Sequence, residues 1–333
     1  MPDPVAEPAV FAIDGGSTKT DAVLVSRDGA VLARTRVGPS NHQLIGVDGM
    51  LGVLGDAVSE LAYHAHLPSG RLPFADVGVY CLAGVDLPVD EETLVPAIEE
   101  RGWSMRSIVR NDTFAVSRAG TSASWGIGVV CGTGVNCAAV GPDGASVRFP
   151  ALAELSGDFA PGGSWLGVRA LGLALRAADG RGGDTTLRAL VPAHFGQPDA
   201  EAVLTAVYTG AISYNRLFEL APVLFDAAAH GDRLAREAAD TLADEIVAFV
   251  RAAIRRLDLE GEAVEVVLGG GVFDTDDQGF QTRVSDGVKA VAPWAVLVHL
   301  DAPPVLGAAL LGLDALGAGP QAKADVRRAL TTT

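Results

Sequence analysis

Cysteine is scarce: the chain has three in 333 residues, Cys81, Cys131 and Cys137. All three fall in apolar, strand-patterned stretches and none has the spacing of a zinc site. Buried, reduced thiols are expected rather than a disulfide framework or a zinc module. Basic residues are also few, 25 against 41 acidic ones, for a net charge of −16. That balance argues against nucleic acid or an anionic membrane as partner and is compatible with a cationic substrate. No apolar run approaches the roughly 20 residues a membrane span needs. Met1 to Pro8 is acidic and Pro-rich, without the basic and apolar regions of a signal peptide, and reads as the frayed terminus of a cytoplasmic protein. Four scattered tryptophans, Trp103, Trp125, Trp165 and Trp294, offer no stacking platform for single-stranded nucleic acid.

Apolar residues are not scarce. At 49% they suffice for substantial cores, and the length suits two domains of ordinary size. Glycine marks the stretches that carry chemistry. Val10 to Ile13 and Ala22 to Val25 flank Asp14-Gly15-Gly16-Ser17-Thr18-Lys19-Thr20, a β-hairpin with a polar tip. Its glycines let backbone N–H groups approach a ligand, and its hydroxyls and lysine suit phosphate oxygens. Asp14 would be repelled by phosphate, so its natural partner is a phosphate-bound Mg²⁺ reached through water. An ordinary glycine-containing turn would look the same. A second apolar strand enters Gly132-Thr133-Gly134 and is followed by Cys137 to Val140, and Val264 to Leu268 leads into Gly269-Gly270-Gly271. None of these is a Walker loop or the Gly-x-Gly-x-x-Gly of a Rossmann helix.

In this order the three stretches resemble the phosphate-1, phosphate-2 and adenosine motifs of the actin, sugar kinase and heat-shock ATPase superfamily. Within it the chain is similar to the N-acetylglucosamine kinases, grouped with the benzoyl-CoA reductase activator ATPases, over nearly its whole length. The resemblance implies an α/β fold of two ribonuclease H-like domains with mixed sheets around a central cleft, the actin-like ATPase fold. It implies ATP and Mg²⁺, with Gly15, Gly16, Ser17, Thr18, Lys19, Thr20, Gly132, Thr133 and Gly134 cradling phosphates and Gly269, Gly270 and Gly271 beneath the adenosine.

Three further stretches are sugar-site candidates. Asn111-Asp112 ends a short strand, where α/β sheets place ligands. Asp112 either caps the helix starting at Thr113 or takes the proton from an attacking hydroxyl, which is its role in the kinases the chain resembles. Asn41-His42 follows the strand-breaking Gly38-Pro39. A loop amide is unremarkable, but it also suits adjacent sugar hydroxyls, and Ser40-Asn41-His42-Gln43-Leu44-Ile45-Gly46 is similar to the Thr-Asn-His-Trp-Leu-Ile-Gly of amino-sugar kinases. His42 contacts the sugar or braces that loop. In Ser156 to Ser164, Gly157-Asp158 is similar to the family's Gly-Asp-Glu-Gly-Ser, whose Asp contacts the sugar; a ligand-free Ω-loop is the alternative. Phe159 stands where the family has an acidic residue, Ala160-Pro161 is extra, and Ala151 to Glu154 lacks the usual glycines. Those departures put the acyl-amide pocket in doubt and leave a carboxylate suited to an ammonium. The run Arg251, Arg255, Arg256 reads as a solvated face.

The resulting expectation is a hexosamine kinase that transfers the γ-phosphoryl group of ATP to the C6 hydroxyl of glucosamine, in the manner of the actinobacterial glucosamine kinases that the loop resembles. An N-acetylglucosamine kinase is the alternative, and a redox-activator ATPase a more distant one. Such activators hold an Fe–S cluster with cysteines, whereas Cys131 and Cys137 flank a phosphate loop. A sugar-sensing regulator would carry an N-terminal helix-turn-helix, for which Met1 to Pro8 leaves no room. A homodimer is left open. Along the chain, three strands to Val37, a helix over 47–66, a strand over 77–82, a helix over 91–101 and a strand over 108–112 form one half. The second half repeats the order, with strands near 127, 137 and 145, helices through 164–258, a strand at 264, a helix near 280–292 and a strand at 295–299. An apolar helix over 306–316 follows. The expected domains are 1–118 plus about 305–333, and 119–304, hinged near Arg118 to Ser124.

Overall fold

The computed structural model describes residues 7–68 and 70–331, so most of the Met1 to Pro8 reading lies outside the described residues. The elements run β1 (Pro8–Gly15), β2 (Thr20–Ser26), β3 (Val31–Val37), α1 (His42–His64), β4 (Ala75–Leu82), α2 (Pro88–Glu99), β5 (Ser104–Asn111) and α3 (Thr113–Gly120). There follow β6 (Gly126–Cys131), β7 (Val135–Val140), β8 (Ser146–Arg148), α4 (Gly163–Asp179), α5 (Leu187–Phe195), α6 (Ala200–Tyr208), α7 (Leu220–Ala229) and α8 (Arg233–Arg256). The chain closes with β9 (Glu265–Gly269), α9 (Gln278–Val291), β10 (Val296–His299), α10 (Pro304–Ala315) and α11 (Pro320–Thr331).

Two five-stranded sheets organise these elements, ordered β3-β2-β1-β4-β5 and β10-β9-β6-β7-β8. In the first, β1 pairs antiparallel with β2 and parallel with β4, β2 pairs antiparallel with β3, and β4 pairs parallel with β5. This is the ribonuclease H-like pattern, and read from β8 to β10 the second sheet repeats its strand order. The chain packs as two compact units: residues 1–128, 138–148 and 298–333 form one, and residues 129–137 and 149–297 the other.

β1 is apolar on both faces because both are covered. Successive side chains point to opposite sides of a strand. Phe11 and Ile13 therefore join Met50, Leu54 and Leu61 of α1, while Val10 and Ala12 join Leu306, Leu310 and Leu313 of α10. Helix α10 comes very close to α3: a Cβ on Gly307 would lie 1.8 Å from the Ala115 carbonyl oxygen.

Several boundaries differ from the sequence expectation. The helix expected over 47–66 begins at His42, with a break at Gly46 (φ 74°, ψ 168°) that leaves a single turn ahead of the main helix. Helix α11, absent from that expectation, buries only Ala322, Val326 and Leu330, too few large apolar residues to stand out. It nonetheless clasps the end of α3, with Arg327 donating to the carbonyls of Ala119 and Thr121, both at 2.5 Å. Of the arginine run, Arg256 lies 5.5 Å over the Phe149 ring and is not purely solvated. All three cysteines are free and buried, as expected.

Candidate active site

In the first unit the candidates converge at the carboxyl ends of β1, β4 and β5. The β1–β2 hairpin leaves Gly16 to Lys19 as its tip, closed by the Gly16 N–H donating to the Lys19 carbonyl at 2.9 Å. Its root is fixed from two sides, by the Ala83 N–H on the Gly15 carbonyl (2.7 Å) and the Ser40 N–H on the Gly16 carbonyl (3.1 Å). The buried Thr20 hydroxyl donates to Ser40 Oγ at 2.8 Å, so it is a strut and does not point outward. Ser17, Thr18 and Lys19 are exposed, and the Lys19 ammonium lies 3.0 Å from Asp21.

Asn41 caps α1, accepting the Gln43 N–H at 2.9 Å, and its amide donates to Ser17 Oγ at 3.0 Å. The sugar-loop candidate is thereby tied to the phosphate-loop candidate. His42 Nε2 lies 3.5 Å from Asp90, while its Nδ1 is buried with no partner. Asp112 stands immediately after β5 at the N-cap of α3, yet its side chain makes no capping bond. Asn111 does that work: its Oδ1 accepts the Thr113 N–H (3.0 Å) and hydroxyl (2.5 Å). The Asp112 carboxyl makes no capping bond of its own, a point the sequence left undecided, although the Thr113 donors also lie close enough to act on it.

Asp14, near the end of β1, and Asp112, just after β5, are like charges on neighbouring chain segments, with β4 alone between the two strands. Burial pushes Asp14 up to about 7, helped by the charges of Asp112 and Asp21 and opposed by Lys19. Burial and the nearby Asp86 push Asp112 up to about 6, against the Thr113 donors. Burial and neighbouring carboxylates raise both groups, a cation would relieve that, and the donor set fits Mg²⁺. Among the described residues no group of three or more metal-ligating side chains occurs, so most of the coordination sphere would come from phosphate and water. Sequence reasoning passed over Asp86, which accepts the Asn111 amide at 2.9 Å, because nothing in Ala83 to Leu87 marks a site.

In the second unit the other candidates converge as well. The Gly132-Thr133-Gly134 turn is held from α4: Gly163 N–H donates to the Gly132 carbonyl (2.8 Å) and Ser164 N–H to that of Thr133 (2.9 Å). Nothing lies within 4 Å of a Cβ built on Gly132 or Gly134, which leaves room for a ligand. Gly270 has φ +99°, and a Cβ there would lie 2.5 Å from the Cys131 carbonyl oxygen. Beside these turns opens a cavity of about 210 Å³ lined by Thr133, Phe218, Pro222, Phe225, Gly271 and Val272. It is apolar, with glycine backbone on one side, as an adenosine would require.

Asp158 is buried and accepts the Ser156 hydroxyl at 2.9 Å. Phe159 is 81% exposed rather than packed into a pocket. Glu245 of α8 is the residue that sequence missed beside this loop. Burial raises its carboxyl, as does the charge of Asp158, while the Phe159 N–H opposes. On an amphipathic helix with many carboxylates, Glu245 carried no distinguishing signal.

Comparison with known proteins agrees with this geometry. The model of the BadF/BadG/BcrA/BcrD ATPase family matches residues 12–312. An N-acetylmuramic acid/N-acetylglucosamine kinase of Clostridium acetobutylicum is 26% identical over 269 residues, 80% of this chain and 85% of that protein. An N-acetyl-D-glucosamine kinase of Dictyostelium discoideum is 26% identical over 313 residues, 91% of this chain and 97% of that one. A Chromobacterium violaceum structure, provisionally assigned as an N-acetylglucosamine kinase, superposes with a TM-score of 0.69 at 25% identity, covering 93% of this chain and 100% of that one. A ROK family glucokinase of Streptomyces griseus, solved with glucose and AMPPNP, shares the fold at 16% identity with a TM-score of 0.55, covering 92% and 99%.

Proposed function

Since the chain belongs to the BadF/BadG/BcrA/BcrD ATPase family, we propose that it is an ATP- and Mg²⁺-dependent amino-sugar kinase acting on the C6 hydroxyl of glucosamine. The observation that carries the reading is Asp112: a half-buried carboxyl at the end of β5, spared from capping by Asn111 and raised to about 6. A base of that strength is ionised near neutral pH and can accept a hydroxyl proton. In the proposed reaction Asp112 takes the C6 hydroxyl proton as that oxygen bonds to the γ-phosphorus, and the bond to the ADP oxygen breaks. The hairpin tip of Gly15 to Thr20 and the Gly132 to Gly134 turn would bind phosphates, and Gly269 to Gly271 would line the adenosine. Asn41 and His42 would orient the sugar, as would Asp158. Asp14 would hold Mg²⁺ through water, and the cation would neutralise phosphate charge.

The acceptor is read from the second unit. Asp158 and Glu245 place two carboxyls of raised proton affinity beside one another, an environment that would favour an ammonium over an acetamide. The names of the two curated relatives support a second reading, N-acetylglucosamine. A coupled assay with ATP, Mg²⁺ and glucosamine, N-acetylglucosamine, glucose or mannosamine separates them. Glucosamine is expected to give the highest kcat/KM. A higher value for N-acetylglucosamine would replace the acceptor, and no transfer to any of the four would remove the kinase reading.

A further inference from the structure

We propose that Asp86 is a positioning residue that couples the sugar loop to the catalytic strand, an inference that rests on the kinase reading above. Asp86 lies in the β4–α2 connection, is buried, and is shared by two amides. Asn111 Nδ2 donates to its Oδ1 at 2.9 Å, and Gln43 Nε2 lies 3.5 Å from its Oδ2. Gln43 belongs to the turn that carries Asn41 and His42, and Asn111 precedes Asp112. One carboxylate therefore spans the two segments that would hold and deprotonate the same sugar.

The connection around Asp86 is itself held from both sides. From α1, Gln43 Nε2 donates to the Gly84 carbonyl at 3.0 Å. From α2, Asp90 Oδ2 accepts the N–H groups of Asp86 (3.0 Å) and Leu87 (2.7 Å), while its Oδ1 faces His42. Gly84, at φ +86°, allows the close approach: a Cβ there would lie 2.7 Å from Asn41 Oδ1. Burying a carboxylate is costly, and a connection that only had to reach α2 could use an apolar residue. What the Asp86 carboxylate supplies is an acceptor for the Asn111 amide. With Nδ2 fixed, Oδ1 faces Thr113 and caps α3, and Asp112 is left to point elsewhere. The other charged groups around Asp86 are Asp90, His42, Arg148 and Asp112, and the charge of Asp86 also raises the Asp112 carboxyl.

Asp86→Asn tests this with little change in shape. The new amide keeps one acceptor for two donors, so it faces either Asn111 or Gln43 with its own N–H groups and the link between the two segments is lost. Wild-type protein must first phosphorylate an amino sugar; if it does not, the kinase reading fails and Asp86 is not at issue. Given an active wild type, Asp86→Asn is expected to lower kcat about 10- to 100-fold and to raise the sugar KM, with the ATP Kd within about twofold. A kcat within about twofold of wild type would overturn the inference. An equal loss in ATP affinity would overturn it too, because that marks a general loss of structure. A second measurement compares Asp86→Asn, Asn111→Ala and the double variant. Residues acting as one unit are non-additive, so the double variant should be no slower than the slower single one. Losses that multiply would show that Asp86 does not act through Asn111.

Discussion

Asp14 and Asp112 make opposite demands on the protein before and after ligand arrives. Both carboxyls bind protons more tightly in the folded chain than in the unfolded one, so their contribution to stability is fully present below about pH 4 and is lost as pH rises through about 6 and about 7. Ligand-free protein with Asp14→Asn should therefore melt higher than wild type at pH 8, by roughly 3 °C or more, and nearly equally at pH 4. A scanning calorimetry series across that range reads the difference directly. The same variant should lose most activity, because its amide neither carries the charge nor orders the water for Mg²⁺. Asp112→Asn should cut turnover by at least ~10² while the affinities for ATP and sugar stay within about tenfold. In wild type, kcat/KM for the sugar should fall as pH drops below about 6, where Asp112 becomes protonated; a flat profile down to pH 5 would exclude it as the base.

Among the elements, turns carry the proposed chemistry and their tolerance is small. Gly270→Ala must place a methyl group against the Cys131 carbonyl at a φ of +99°. The expected cost is on the order of 1–3 kcal/mol, together with weaker ATP binding, measured by chemical denaturation and nucleotide titration. At this scale sequence reading succeeded where period and turn chemistry agree. The apolar runs of β1, β2, β4 and β9 and the glycine turns after β1, β6 and β9 were all legible. It failed where a decision is made by contacts distant in sequence. No local pattern could show that Asn111 rather than Asp112 caps α3, that Asp86 receives the Asn111 amide, or that Glu245 on α8 comes beside Asp158. Nor could it place α11, whose few apolar residues gain meaning only when Arg327 reaches the carbonyls that end α3. The single turn from His42 to Ile45 was hidden by Gly46, which reads as a helix boundary and is a break between two helical pieces.

For the whole molecule the sequence resemblance leaves two activities in view, phosphoryl transfer to a small acceptor and ATP-driven activation of a reductase. Cysteine placement argues for the first. Cys81, Cys131 and Cys137 are buried, and burial raises each thiol well above its ordinary range, which disfavours the thiolates that an Fe–S cluster needs. Protein purified without oxygen should therefore show no visible iron–sulfur absorption. A stoichiometric iron content with a charge-transfer band would favour the activator instead.

The packing of α10 against the first sheet also bears on synthesis. Val10, Ala12, Val23, Val77 and Val79 are made early, but the helix that covers them, with Leu306, Leu310 and Leu313, follows some two hundred residues later. At about 5–20 residues per second the ribosome needs roughly 10–50 s to supply it. Throughout that interval the nascent chain presents a valine-rich sheet face with no lid. Holdase chaperones should capture stalled chains ending near residue 297 and release those that extend past α10. The same truncation made as free protein should aggregate, because one face of its central sheet has been left for water to cover.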